Sequence, residues 1–264
     1  MQKNRPIGFF DSGIGGLSVL HEALKILPNE HYIYFSDGDN APYGTRPKEE
    51  VRALVLSAAA FIAQQNIKAL VVACNTATSV AIEDLRQRYP FPVIGMEPAV
   101  KPAVMAGGRK RVLVFATELT LKEEKFRNLV ARVDTEQVVD YLPLQELVMF
   151  AERFEFDEPT IVAYLNAKLD GLALSQYGAV VLGCTHFLFF KKIMRQVLPP
   201  EIQIIDGNLG TVNNLKNKLG TRLRDDGPGH VRYYVSGKPM DAAWFERWLR
   251  RLSADETRLA EGAK

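Results

Sequence analysis

The sequence predicts an α/β protein of two pseudo-symmetric halves, each a largely parallel sheet flanked by helices. The first ground is the alternation of short β-branched or apolar runs with longer amphipathic stretches, the pattern of parallel-sheet architectures. The second is an internal echo: Ala69-Leu-Val-Val-Ala-Cys74-Asn-Thr76 reads like Ala179-Val-Val-Leu-Gly-Cys184-Thr-His186. The third is a rougher pairing of the strand ending at Asp11-Ser12 with the strand ending at Thr117. In such folds ligands bind beyond the carboxyl ends of the strands. If the halves face each other, both cysteines project into one cleft from opposite sides.

Taken in order, residues 7–10, 32–35, 69–73 and 93–94 read as strands, with helices over 17–27, 48–65 and 78–89. A second series follows: strand 112–115, helix 121–133, strand 138–139, helices 145–152 and 159–175, then strands 180–182 and 202–205, each followed by a helix. Gly107 and Gly108, followed by the basic Arg109-Lys-Arg111, suggest a linker. Residues 231–236 read as an edge strand, 241–252 as a helix, and 253–264 as a frayed polar tail. The expected domains are 1–97 with 207–264, carrying Cys74, and 98–206, carrying Cys184.

A net charge of +2 on 264 residues argues against a nucleic-acid binder, which needs a concentrated basic face. The one basic cluster, Arg247, Arg250 and Arg251 beside Trp248, reads as a solvated helix face. No run of 18 apolar residues is present, so no membrane span is expected. The polar start, Met1 to Arg5, does not resemble a signal peptide, and a cytoplasmic protein is expected. There the two cysteines stay reduced, and without a CxxC or CxxH neighbourhood they are poor zinc ligands.

Cys74 ends a strand and precedes Asn75 and Thr76 at the start of a helix, where backbone N–H groups favour a thiolate. Cys184 repeats the arrangement before Thr185 and His186, and the histidine could serve as a proton partner. Each cysteine alone fits a small buried hydrophobe equally well; two at matching strand ends point to chemistry. The glycine-rich Asp11-Ser-Gly-Ile-Gly-Gly-Leu17 lacks the Lys of a phosphate loop and the third Gly of a dinucleotide fingerprint. Asp11 there suits an amino group or a proton-transfer role; the competing reading is a tight turn capping a helix. Asp37 with Pro42-Tyr43-Gly44, and Glu152, are weak signals alone.

At these motifs the chain resembles the glutamate racemase family, within the aspartate/glutamate racemase superfamily. The pieces are Phe10-Asp-Ser-Gly-Ile-Gly-Gly16, Asp37 with Pro42-Tyr-Gly44, Ala73-Cys-Asn-Thr-Ala77 and Leu182-Gly-Cys-Thr-His186, in family order over 7–206. The resemblance implies two pseudo-symmetric α/β domains with the active site in the cleft between them, and racemisation of L- and D-glutamate without pyridoxal phosphate or metal, supplying D-glutamate for peptidoglycan. It implies Cys74 and Cys184 as the two catalytic thiols, Cys74 for the D-enantiomer's proton and Cys184 for the L-enantiomer's. Asp11, His186 and Glu152 would handle protons beside them. Substrate contacts would come from Asp11, Ser12, Pro42, Tyr43, Gly44, Asn75, Thr76, Thr117 or Thr120, Thr185 and His186. Homodimers are common in the family. Some members carry a longer N-terminal segment linked to activation by a cell-wall precursor, and with six residues before the first strand no such activation is expected here.

Three departures stand out. Phe187-Leu-Phe-Phe190 replaces the common Tyr-Pro-Leu-Leu, Thr117-Glu-Leu-Thr120 replaces Thr-x-Gly-Thr, and two extra residues separate Pro143 from Glu152. Two other functions compete: an aspartate racemase, whose substrate differs by one methylene, and a small-molecule binder with dispensable cysteines.

Overall fold

A computed structural model of the chain describes residues 3–107 and 110–262. The first series of elements is β1 (Ile7–Asp11), α1 (Leu17–Ile26), β2 (Tyr32–Ser36), α2 (Lys48–Gln64), β3 (Ala69–Val72), α3 (Asn75–Arg88) and β4 (Val93–Gly95). Then come α4 (Val100–Gly107), β5 (Arg111–Ala116), α5 (Glu118–Lys122), α6 (Glu124–Val133), β6 (Val139–Pro143), α7 (Gln145–Glu152), α8 (Glu158–Leu169) and β7 (Tyr177–Leu182). A 3-10 segment, Thr185–Phe190, leads into α9 (Lys191–Val197), β8 (Gln203–Ile205), α10 (Asn208–Leu219), β9 (Val231–Val235), β10 (Lys238–Met240) and α11 (Ala242–Gly262).

One sheet has six strands in the order β10-β9-β2-β1-β3-β4, parallel except for β10; the other has four parallel strands in the order β6-β5-β7-β8. The central strands β1, β2, β3 and β7 are buried along their whole length, which is why they read as continuous apolar runs rather than alternating ones. The carboxyl ends of β1, β3, β5 and β7 carry Asp11, Cys74, Thr117 and Cys184, and these ends converge.

The alternation of elements is as the sequence indicates, with corrections at several joints. The crossing between sheets lies at 96–99, ahead of the proposed glycine linker. Gly107 ends α4, whose Val100 and Ala103 are buried in the core of the four-stranded sheet, and Gly108 and Arg109 lie outside the described residues. The helix expected over 121–133 is broken at Glu123, whose backbone is extended (φ −70°, ψ 134°) and whose buried carboxylate pairs with Lys48 at 2.7 Å. The helix expected over 159–175 stops at Leu169, since Gly171 turns the chain at φ +78°, a conformation glycine adopts without strain.

β9 is not an edge strand: β10 pairs with it and becomes the edge. The expected frayed tail is helical to Gly262. Trp248 is fully buried, and its indole N–H donates to the Ala151 carbonyl. The basic cluster is not simply solvated: Arg247 lies over the Trp248 ring at 3.8 Å and Arg251 over Phe156 at 3.7 Å, because a guanidinium is attracted to an aromatic face. Phe187, Phe189 and Phe190 are fully buried, so that departure is absorbed by the core behind the second cysteine.

Candidate active site

The two cysteines are both free and nearly buried, at 5% and 7% exposure, but they are presented differently. Cys74 caps α3: Ala77 N donates to its sulfur at 3.4 Å, and Ser12 Oγ lies 3.5 Å away. The helix starts at Asn75, directly after the strand-end cysteine as the motif suggests and three residues before the start the periodicity gives. Burial, first, and the Asp11 carboxylate, second, push the Cys74 thiol up to about 12 against the pull of those hydrogen bonds. The expectation that the helix end lowers it is thus overturned; desolvation outweighs the dipole here. The charge of Cys184 contributes to the same upward pressure on Cys74.

Cys184 does not cap an α-helix. It precedes the 3-10 segment, makes no capping bond, and lies 3.8 Å from His186 Nδ1. The other ring nitrogen of His186 meets Glu152 Oε1 at 2.5 Å, and Ile14 N donates to the same oxygen at 2.9 Å. Burial alone would lower the imidazole, but its bonds to Cys184 and Glu152 reverse this and hold His186 well above the ordinary histidine range. Despite the extra residues after Pro143, α7 ends with Glu152 against His186.

Asp11 is fully buried. Gly13 N donates to its Oδ1 at 3.0 Å, and Thr185 Oγ1 donates to its Oδ2 at 3.1 Å. It therefore links the loop before α1 to the residue after Cys184. Burial pushes its carboxyl up to about 6, even though the nearby His186 charge pulls it down.

The glycines of 13–16 owe their identity to crowding. A Cβ on Gly13 would stand 1.7 Å from Glu152 Oε1, one on Gly15 2.4 Å from His186 Nδ1, and one on Gly16 2.6 Å from Asp11 Cβ. A competing account, that the turn exists only to start a helix, leaves this close approach unexplained, and Gly16 makes no side-chain cap.

Thr76, Thr117 and Thr120 form a buried triangle of hydroxyls, with Oγ1 separations of 3.0, 3.1 and 2.9 Å. Thr117 and Thr120 both belong to one cluster with the residue two places after Cys74. Asn75 is partly committed elsewhere, its amide donating to the Met96 carbonyl at 3.2 Å. Pro42 is half-buried and Tyr43 buried. Tyr43 Oη donates to Asp37 at 2.6 Å, and Asp37 also accepts from Asn40 and Ser236. Asp37 therefore fixes the 42–44 loop. Gly44 packs so closely that a Cβ there would stand 2.7 Å from Thr117 Cβ and 2.5 Å from Gln145 Oε1. Gln145 belongs to no motif, and sequence reasoning missed it.

Among the described residues no group of three His, Cys, Asp or Glu side chains is arranged to hold a metal. No helix among them is long and apolar enough to cross a membrane. A groove of about 780 Å³ beside α3 and α6, lined by Lys48, Glu83, Glu123 and Arg132 among others, includes neither cysteine. Each sulfur thus has a group nearby that can take or give a proton, Asp11 for Cys74 and His186 for Cys184.

Residues 15–215 match the family model for Asp/Glu/Hydantoin racemase. The chain is 55% identical to a glutamate racemase of Halothermothrix orenii over 88% of this chain and 93% of that protein. It is 51% identical to glutamate racemase 2 of Bacillus subtilis over 95% of this chain and 97% of that protein. Among solved structures, the glutamate racemase of Francisella tularensis in complex with D-glutamate superposes with a TM-score of 0.80 at 28% identity, covering 94% of both chains.

Proposed function

The chain belongs to the Asp/Glu/Hydantoin racemase family, and from that premise we propose that it interconverts L- and D-glutamate with Cys74 and Cys184 as the two acid–base groups. The observation that carries the proposal is the pair of thiols at the ends of β3 and β7, each with a separate proton partner: Asp11 near Cys74, and His186 with Glu152 at Cys184. Racemisation removes the α-hydrogen from one face and returns a hydrogen to the other. Two bases on opposite faces do this without moving the substrate.

One sulfur abstracts as a thiolate while the other donates as a thiol, and the reverse reaction exchanges these states. With no pyridine ring to accept electrons, charge built at Cα passes onto the α-carboxylate. Fixed donors there, such as the Thr76 hydroxyl and nearby backbone N–H groups, would lower that barrier. The shifts at Asp11 and Cys74 both express a buried anion short of positive charge. The substrate's α-ammonium group brings that charge and so helps to form the thiolate it reacts with.

Alongside this reading we propose the domain division 1–97 with 207–264 and 98–206, which assigns each sheet whole to one unit. A cytoplasmic location, a role in supplying D-glutamate for peptidoglycan and a homodimeric state belong to the same proposal. The direct test is turnover of L- and D-glutamate and of both aspartate enantiomers in D2O, with loss of the Cα–H signal followed by NMR. Glutamate exchange with inversion supports the proposal. Preference for aspartate would favour the neighbouring racemase specificity, and no exchange would favour a binding protein.

Asp11→Asn separates chemistry from stability. A carboxyl raised on folding from 3.8 to about 6 contributes stability that is present below pH 4 and lost as pH rises through about 6, on the order of 3 kcal/mol. The variant is therefore expected to melt higher than wild type at pH 7 while its kcat falls far more than its KM rises. Unchanged turnover removes Asp11 from the mechanism.

A further inference from the structure

Resting on the glutamate racemase reading, we propose that Gln145 binds the substrate's side-chain carboxylate and sets the chain length the site accepts. Both polar atoms of its amide are buried without a hydrogen-bond partner. A folded protein rarely keeps such an amide unless function uses it, because the lost hydration is not repaid. The amide also lies where a ligand would meet it, beside Gly44 and Thr117, whose hydroxyl bonds Thr76.

The helix that begins at Gln145 ends at Glu152, the partner of His186. At about 1.5 Å per residue it runs roughly 10 Å along the cleft. Ser12 lies 3.5 Å from the Cys74 sulfur and Thr185 follows Cys184 directly, which assigns them to substituents on the α-carbon. Gln145 instead sits beside Gly44 and Thr117, apart from the groups bonded to either sulfur, and so serves the far end of the substrate. An amide N–H suits a carboxylate whose charge is unchanged through the reaction. Such a contact stabilises ground and transition states alike and appears in KM rather than kcat. A substrate one methylene shorter would leave the amide unpaired, which is how a fixed polar group discriminates by length.

Gln145→Met keeps the side chain's bulk and removes its polarity. The expected result is a KM for L- and D-glutamate raised about tenfold or more with kcat changed less than threefold. The free protein should melt at or above the wild-type temperature, and saturating D-glutamate should raise that temperature less than it does for wild type. Gln145→Glu, which sets a negative charge against the carboxylate, should raise KM further. A wild-type KM in Gln145→Met, or a fall in kcat with KM unchanged, overturns the assignment and leaves the racemase reading standing. A wild-type protein inactive on glutamate overturns that reading and this one with it.

Discussion

Cys74→Ser is expected to stop net racemisation while leaving α-proton exchange from one enantiomer, and Cys184→Ser is expected to leave exchange from the other. Loss of one acid–base group in a two-base reaction costs roughly 10²–10⁴-fold, because the carbanion formed on one face finds no donor on the opposite one. Proton return on the same face remains open, so D2O washes out Cα–H without inversion. With Cys74 serving the D-enantiomer, Cys74→Ser should retain washout from L-glutamate only, and Cys184→Ser from D-glutamate only. The structure indicates that both variants fold. Cys74 caps α3 through a bond from Ala77 N, a position where serine is among the preferred residues; Cys184 caps nothing. Racemisation by either variant within tenfold of wild type would dismiss the two-thiol scheme, and so would the loss of washout from both enantiomers in one variant.

The difference between the two sulfurs shows which parts of the site are legible in a sequence. Strand ends followed by polar pairs are local signals, and they locate Cys74, Asn75 and Thr76, and Cys184, Thr185 and His186, without any tertiary information. The crowding at Gly13 and Gly15 is nonlocal: it depends on Glu152 and His186 arriving from two other segments, whereas Gly16 packs against Asp11 of its own loop. A sequence therefore shows the glycines but not their cause. The sign of the Cys74 shift is equally hidden, because helix-end stabilisation can be read from spacing whereas full burial against a carboxylate cannot. Gln145 is the extreme case, a single polar residue at a helix start with no periodic or motif context. Its significance lies only in what it lacks in three dimensions. The joints that resisted periodicity, at Glu123 and Leu169, are set by a buried carboxylate reaching a half-exposed lysine and by a positive-φ glycine.

Glu152→Gln is expected to lower kcat/KM by about 10²-fold, a general acid–base contribution, and to move the alkaline limb of its pH profile to lower pH. The amide keeps the shape of the carboxylate and can still accept from Ile14 N, but it no longer brings negative charge to His186 Nε2. Burial already pushes His186 down, and only the bonds to Cys184 and Glu152 hold it up, so without the charge the ring loses its proton nearer neutrality. The linked stability follows the same sign. A histidine raised on folding stabilises fully below its ordinary value of 6.5 and until the pH passes its raised value, so the variant should be less stable than wild type at pH 7, with the deficit closing at high pH. Because enantiomers are equal in free energy, kcat/KM must fall by the same factor in both directions, however asymmetric the lesion. The side on which Glu152 acts is therefore read from exchange: washout through Cys184, from L-glutamate, should slow more than washout through Cys74. A pH profile superimposable on wild type would mean that Glu152 serves only to hold the loop at Ile14, with His186 set by Cys184 alone.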